Sequence, residues 1–205
     1  MSDTRNSDVP LTGIAFGAVA LALVVLFAVF LPKAVGDTAN ASAITMPTTL
    51  PGGYKSATDV EAWKGNPSMA GQEAQVVKAV QAEIDFGDTQ LKKTTGGGFG
   101  NAIYLKDGGQ SIFFAQAFRA AGGAVSPGEI SDPAKLQQGS TVDQLVKVGK
   151  ATCIVTGTVA TGGQVQPAQT KCQQSKGELT VQVSAPSVAA SDVAKVTALV
   201  LDQIG

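Results

Sequence analysis

The 205-residue chain contains few residues that could perform chemistry, and its two cysteines, Cys153 and Cys172, are the most informative of them. Histidine is absent, which removes Ser-His-Asp and Cys-His catalysis and the commonest zinc ligand. Fifteen basic and 16 acidic residues give a net charge of −1, whereas a nucleic-acid-binding protein normally carries a basic stripe. We therefore expect no catalytic, cofactor-binding or metal-ligating residues, and no nucleic-acid partner.

Other polar residues are of the types found in catalytic or binding sites, but their spacing does not match such a site. The run Gly96–Gly100 lacks the Lys and Ser/Thr that complete a phosphate-binding loop, so we interpret it as a flexible loop. The acidic pairs Asp85/Asp88 and Glu129/Asp132 fit a helix end and a Pro/Gly loop better than a catalytic carboxylate pair. The cysteines lack Cys-X-X-Cys spacing, which favours a structural disulfide over a redox centre.

One enzymatic alternative stays open. Lys92 and Lys93 stand beside Thr94 and Thr95, next to the glycine run. A histidine-free hydrolase of the Ser/Lys or paired-carboxylate type would have its site there or at an acidic pair.

The N-terminal part of the chain predicts a membrane anchor. No residue from Val9 to Pro32 is charged, and the apolar run 11–31 is long enough to cross a bilayer as a helix. We predict a single-pass signal anchor in contact with lipid; a cleaved signal peptide is the alternative, because Ala-X-Ala patterns occur at residues 39–43. Gly13 and Gly17 form a Gly-X-X-X-Gly pattern that would permit a helix–helix contact.

The cysteines decide the predicted orientation. Arg5 and Lys33 lie on either side of the apolar run, so positive charge alone does not fix it. A disulfide between Cys153 and Cys172 requires an oxidising compartment, whereas two reduced thiols in a cytoplasmic domain are the alternative. We predict a cell-membrane protein with its C-terminal domain outside the cytoplasm: a cytoplasmic tail at 1–10, the membrane helix at 11–31, a flexible tether at 32–53 and an α+β domain at 54–205.

Hydrophobic periodicity supplies the elements of that domain. A helix is predicted from Gly71 to Asp85, ending at Gly87, and a second helix follows Ser191. Hairpin strands are predicted at 101–118 and around a Gly162-Gly163 turn, and an alternating strand at 178–185. Cys153 and Cys172 are each nine residues from that turn, so they are predicted to face each other. The predicted fold class is α+β, a mainly antiparallel sheet with both helices on one face.

Alternation also divides the aromatic residues of the first hairpin. Phe114 and Phe118 share one face with Ile112, while Phe113 and Tyr104 share the other. One set must lie in the core, and the other is a candidate binding patch if it is exposed.

Several segments carry a resemblance to a known class of proteins. They are Met46–Tyr54 (MPTTLPGGY), Gln116–Ala120 (QAFRA) and the run from Cys172 to Ile204, which contains LTVQV and DVAKVTALVLDQI. The chain resembles uncharacterised single-pass cell-envelope proteins of high-GC Gram-positive, actinobacterial type. That resemblance implies a location in the envelope and no activity. From the residues we expect a membrane-anchored binding or accessory module with a protein partner or membrane complex.

Overall fold

The computed structural model describes residues 43–95, 98–119 and 130–205, which belong to one compact unit. They form an eight-stranded antiparallel sheet and two α-helices, which confirms the predicted α+β class. The strands are β1 (Thr49–Leu50), β2 (Tyr54–Ser56), β3 (Phe99–Lys106), β4 (Ser111–Arg119), β5 (Thr141–Val148), β6 (Ala151–Val159), β7 (Val165–Lys176) and β8 (Leu179–Pro186); the helices are α1 (Glu73–Thr95) and α2 (Ala190–Ile204).

The strand order is β1-β2-β3-β4-β8-β7-β6-β5. Each half of the sheet is therefore a meander of consecutive strands, and the pairing of β4 with β8 joins the two halves. This junction runs from Phe114 opposite Ser184 to Arg119 opposite Leu179.

The main core lies between one face of the sheet and α2. Alternate residues of β4 and β8 point into it, and the apolar stripe of α2 covers them, since valines at 193, 196 and 200 recur at helical spacing. Burying each of these valines contributes about 1.5–3 kcal/mol. The predicted stripe is confirmed, although the helix begins at Ala190 rather than after a Ser191 cap.

Helix α1 lies on the opposite face of the sheet, so the prediction that both helices share one face is wrong. Ala102 and Tyr104 of β3 belong to the α2 core, whereas Leu105 belongs to a second cluster with Trp63 and the valines of α1. Successive strand residues point to opposite faces, and both faces of β3 are apolar enough to hold a helix. Helical periodicity gives the buried side of a helix but not the sheet face that it meets.

Helix α1 is also longer than predicted, because it passes through Gly87 and ends at Thr95. A glycine inside a helix costs only about 1 kcal/mol relative to alanine. Contacts beyond it offset that cost: Thr89 Oγ1 donates to the carbonyl of Asp85, and the Asp88 carboxylate accepts a hydrogen bond from Asn101 of β3.

Residues 43–53 are part of the predicted tether, but they contain a strand and buried side chains. Ile44 and Leu50 are buried, and the Ile44 amide donates to the Phe99 carbonyl at 2.9 Å. Strand β1 pairs with β2, so this segment belongs to the folded unit. In the sequence this segment resembles a linker, because it is rich in small residues, Pro and Gly and its strand is only two residues long.

The predicted disulfide is present between Cys153 and Cys172, which face each other across β6 and β7 with a Cα–Cα distance of 4.0 Å. The turn itself differs from the prediction, since Thr161–Gly163 form it as a short 3₁₀ turn. A β-bulge next to Gly157 then shifts the register by one residue and restores the pairing of the cysteines. The short Cα distance is that of a non-hydrogen-bonded pair.

Within the described residues, no helix combines the length and hydropathy needed to cross a membrane. The predicted tail at 1–10, the span at 11–31 with Gly13 and Gly17, and residues 32–42 of the tether lie outside the described residues.

Candidate functional site

Two clefts flank helix α1 where it lies over β3. The larger, about 340 Å³, is bounded by α1, β3 and the segment 43–48, and the smaller, about 190 Å³, lies between α1 and β4. The larger volume is within the range of small-molecule sites. Its polar lining comes from several elements: Thr48, Ser56, Thr58, Gln81, Asp88 and Asn101.

Asn101 lines both clefts and is the most unusual residue of the site. Its Nδ2 donates to Asp88 Oδ1 at 2.6 Å, a charge-assisted bond that fixes the orientation of the amide. Its Oδ1 is buried and has no hydrogen-bond partner among the described residues. An unsatisfied buried acceptor of this kind costs about 1–3 kcal/mol, so its presence calls for a reason beyond stability.

Two glycines lie where the chain segments meet at Asn101, and only Gly100 is required there. At Gly87 of α1, an added Cβ would lie 3.9 Å from Asn101 Nδ2, which is ordinary contact. At Gly100 a Cβ would collide with the carbonyl oxygen of Ile44, so only glycine lets the segment 43–48 approach β3. The wall of the larger cleft depends on that approach.

Tyr104 holds the same wall from the other face of the sheet. Its hydroxyl donates to the Pro47 carbonyl at 2.9 Å, and the side chain is fully buried. Burial raises the pKa of Tyr104, because the phenolate would lose its hydration. The hydroxyl therefore remains a donor throughout the physiological pH range.

The charges around the clefts are acidic. Asp88 lines the larger cleft and Glu83 the smaller, and no Lys or Arg among the described residues lines either of them. The hydroxyls of Ser56 and Thr58 are 2.8 Å apart and add further polar atoms to the larger cleft. The arrangement can accept hydrogen bonds and favours positive charge, but it offers no cation to hold a phosphate or carboxylate.

Helix α1 is loosely packed compared with α2. From Glu73 to Lys93, no side chain of α1 is fully buried, whereas six residues of α2 are. Its apolar stripe, which includes Val80 and Ile84, is only half-buried. Few buried contacts mean that the local cost of moving α1 is low.

Among the described residues that were weighed for catalysis, Asp88 alone lines one of these clefts. Lys92 and Lys93 are exposed in the last turn of α1 and line neither cleft. Asp85 is exposed and accepts a hydrogen bond from Gln81, and Asp132 caps a short 3₁₀ turn; Glu129, Gly96 and Gly97 lie outside the described residues.

Metal ligands are also missing from the part of the chain that the structure describes: no group of three or more Cys, Asp or Glu residues there could hold an ion. The absence of cofactors and of catalytic residues stays a prediction.

The aromatic residues divide as alternation predicts. Phe113 and Tyr104 are buried in the core, while Phe114 is 44% exposed and lines the smaller cleft.

The sequence interpretation did not single out Asn101. Its signal was available: a lone amide in register with Ile103 and Leu105 on the face that packs against α1.

Comparison with models of protein families, with curated proteins and with solved structures finds no match to this chain, so the geometry of the site is the basis on which its function is interpreted.

Proposed function

We propose that the protein is a membrane-anchored, extracytoplasmic binding module that takes a small ligand in the larger cleft and does not transform it. The observation that carries this proposal is Asn101 Oδ1, which is buried beside Asp88 in a cleft of ligand size and has no hydrogen-bond partner among the described residues. A polar group left unsatisfied at a concave site is typical of a position that a ligand completes.

The anchor and the location are supported by separate features. The apolar run 11–31 is long enough to span a bilayer, and the Cys153–Cys172 disulfide is typical of an oxidising compartment outside the cytoplasm. The resemblance to single-pass envelope proteins agrees with both. A partner complex in the envelope remains part of the proposal.

A binding role fits the site better than hydrolysis. Paired-carboxylate catalysis needs two acids that converge on one bond. Here Glu83 and Asp88 line different clefts, and no lysine of the described ranges lines either cleft to activate a serine or threonine.

The topology is tested with single added cysteines and a membrane-impermeant maleimide. Lys78→Cys places a thiol on the exposed side of α1, and Ser2→Cys places one in the predicted tail. We expect labelling at position 78 on intact cells, and at position 2 only after permeabilisation. The reverse pattern would place the domain inside the cell and overturn the proposed location.

The binding role is tested by NMR on the full-length chain in detergent micelles. The chain has only four asparagines, so selective ¹⁵N-asparagine labelling gives a spectrum in which the Asn101 side-chain amide is assigned by substitution. We expect a saturable shift of that amide with at least one class among cationic, neutral and anionic small molecules. No response to any class, or turnover of ester, amide or glycoside substrates that is lost in Asp88→Asn, would contradict the proposal.

A further inference from the structure

We infer that the ligand of the larger cleft carries a primary ammonium group on a short aliphatic chain. This inference rests on the proposed function and names the chemical class that the same site would bind. It follows from the hydrogen-bonding direction, the charge and the apolar lining of the cleft.

Asn101 and Asp88, which both line the cleft, can only accept hydrogen bonds from a ligand. Because Asn101 Nδ2 is engaged by the Asp88 carboxylate, the amide presents its oxygen as the remaining group. A carboxylate is also an acceptor. An ammonium group is the complement, since it brings three donors and no acceptor.

The charge of the cleft selects the same class. Asp88 is half-buried, and within the part of the chain that the structure describes no basic side chain lines the cleft to balance its charge. A cation beside this carboxylate gains Coulomb energy in a partly desolvated site, whereas an anion is repelled. Phosphorylated and carboxylate ligands are thereby disfavoured.

The rest of the lining suits an aliphatic chain rather than a bare ammonium ion. Ile44, Met46 and Phe99 also line the cleft. Burying methylene groups against them adds about 0.8 kcal/mol per group.

Binding requires a small movement of α1, because Asn101 Oδ1 has almost no exposed surface in the free protein. The loose packing of α1 and the cleft on either side of it make that movement cheap. An ammonium group would thus reach Asn101 Oδ1 while the Asp88 carboxylate neutralises it.

The test compares three probes that share a four-carbon tail: butylammonium, 1-butanol and butyrate. They are titrated into the full-length, ¹⁵N-asparagine-labelled chain, with the Asn66 amide as an internal control away from the cleft. We expect butylammonium to shift the Asn101 side-chain amide with saturation and to bind at least about tenfold more tightly than 1-butanol, as one charge-assisted hydrogen bond provides. Butyrate should leave the amide unshifted.

Two variants isolate the charge. Asp88→Asn keeps the shape of the side chain and an acceptor for Asn101 but removes the charge. We expect its affinity for butylammonium to be lower by a factor of at least about ten. Asp202→Asn, an equal change of charge on the exposed side of α2, should bind it as the wild type does.

The outcomes separate the inference from the function on which it rests. If 1-butanol or butyrate binds as tightly as butylammonium, or if Asp88→Asn has no effect, the ammonium assignment is overturned and the cleft stands as a site for another class. If no probe or other small molecule shifts the Asn101 amide, the proposed function fails as well.

Discussion

At the scale of single residues, Asn101 and Tyr104 show two opposite results of burying a polar group in the same strand. The Tyr104 hydroxyl has a partner, the Pro47 carbonyl, and its bond ties the segment 43–48 to the sheet. The Asn101 carbonyl oxygen has none among the described residues. Tyr104 therefore contributes to stability, whereas Asn101 lowers it and provides the acceptor of the site.

The buried tyrosine gives the protein a dependence on alkaline pH. Folding raises the pKa of Tyr104, so the folded state keeps a proton that the unfolded state loses above about pH 10. We expect the free energy of unfolding to be unaffected by this group below about pH 10 and to fall as the pH rises further. Urea unfolding at a series of alkaline pH values measures this.

The comparison of two tyrosine variants assigns that effect. Tyr104→Phe should remove this part of the alkaline fall and should lower stability at neutral pH by about 1 kcal/mol, the contribution of one hydrogen bond. Tyr54→Phe, a control at another buried tyrosine, should keep the fall. An identical alkaline slope in Tyr104→Phe and the wild type would refute the assignment.

At the scale of elements, the β6–β7 hairpin depends on a bulge as much as on the disulfide. A Cβ at Gly157 would collide with the carbonyl oxygen of Gln166, so the register shift beside it requires glycine. We expect Gly157→Ala to lower the free energy of unfolding by about 1–3 kcal/mol, because the backbone must shift to relieve the overlap. Equilibrium urea unfolding measures the change.

Gly87→Ala serves as the matched control for that substitution. Its Cβ meets only ordinary contact inside α1, so helix propensity decides and stability should rise by up to about 1 kcal/mol. Equal effects of the two substitutions would mean that the bulge does not require a glycine.

The disulfide should stabilise the hairpin without being essential to the fold. Its loop of about 20 residues corresponds to about 3 kcal/mol by chain entropy. We expect Cys153→Ser with Cys172→Ser to lower the free energy of unfolding by about 2–4 kcal/mol, with the far-ultraviolet circular dichroism spectrum unchanged, since the α2 core remains. An unfolded double variant, or one of undiminished stability, would contradict this.

The same hairpin shows how far the sequence determines the elements. The pairing of the cysteines was predictable because strand residues face each other at equal distances from a turn. The turn is one residue longer than the Gly162-Gly163 turn predicted, and the unpaired Ala168 of the bulge compensates for it. Neither the longer turn nor the bulge has a local sequence signal strong enough to reveal it. The two changes cancel, so the cysteines pair as predicted.

At the scale of the whole molecule, the features that sequence patterns missed are those that depend on distant segments. The alternation of apolar residues correctly predicted the buried face of β8, and their helical spacing correctly predicted the apolar stripe of α2. The face on which α1 lies, its continuation past Gly87 and the clefts all depend on β3 and the segment 43–48 meeting that helix. No periodicity within one element contains that information.

The strand order also has a consequence for how the chain folds when it is made. Strands β1 to β4 can pair with one another as soon as they emerge, but the free edge of β4 has its partner only when β8, near the other end of the chain, is complete. Until then β4 presents unpaired backbone groups and the side chains of Phe113 and Ala115 to its surroundings. An intermediate of this kind is prone to aggregate, so production of the protein should depend on chaperones that bind exposed strand edges until α2 closes the core.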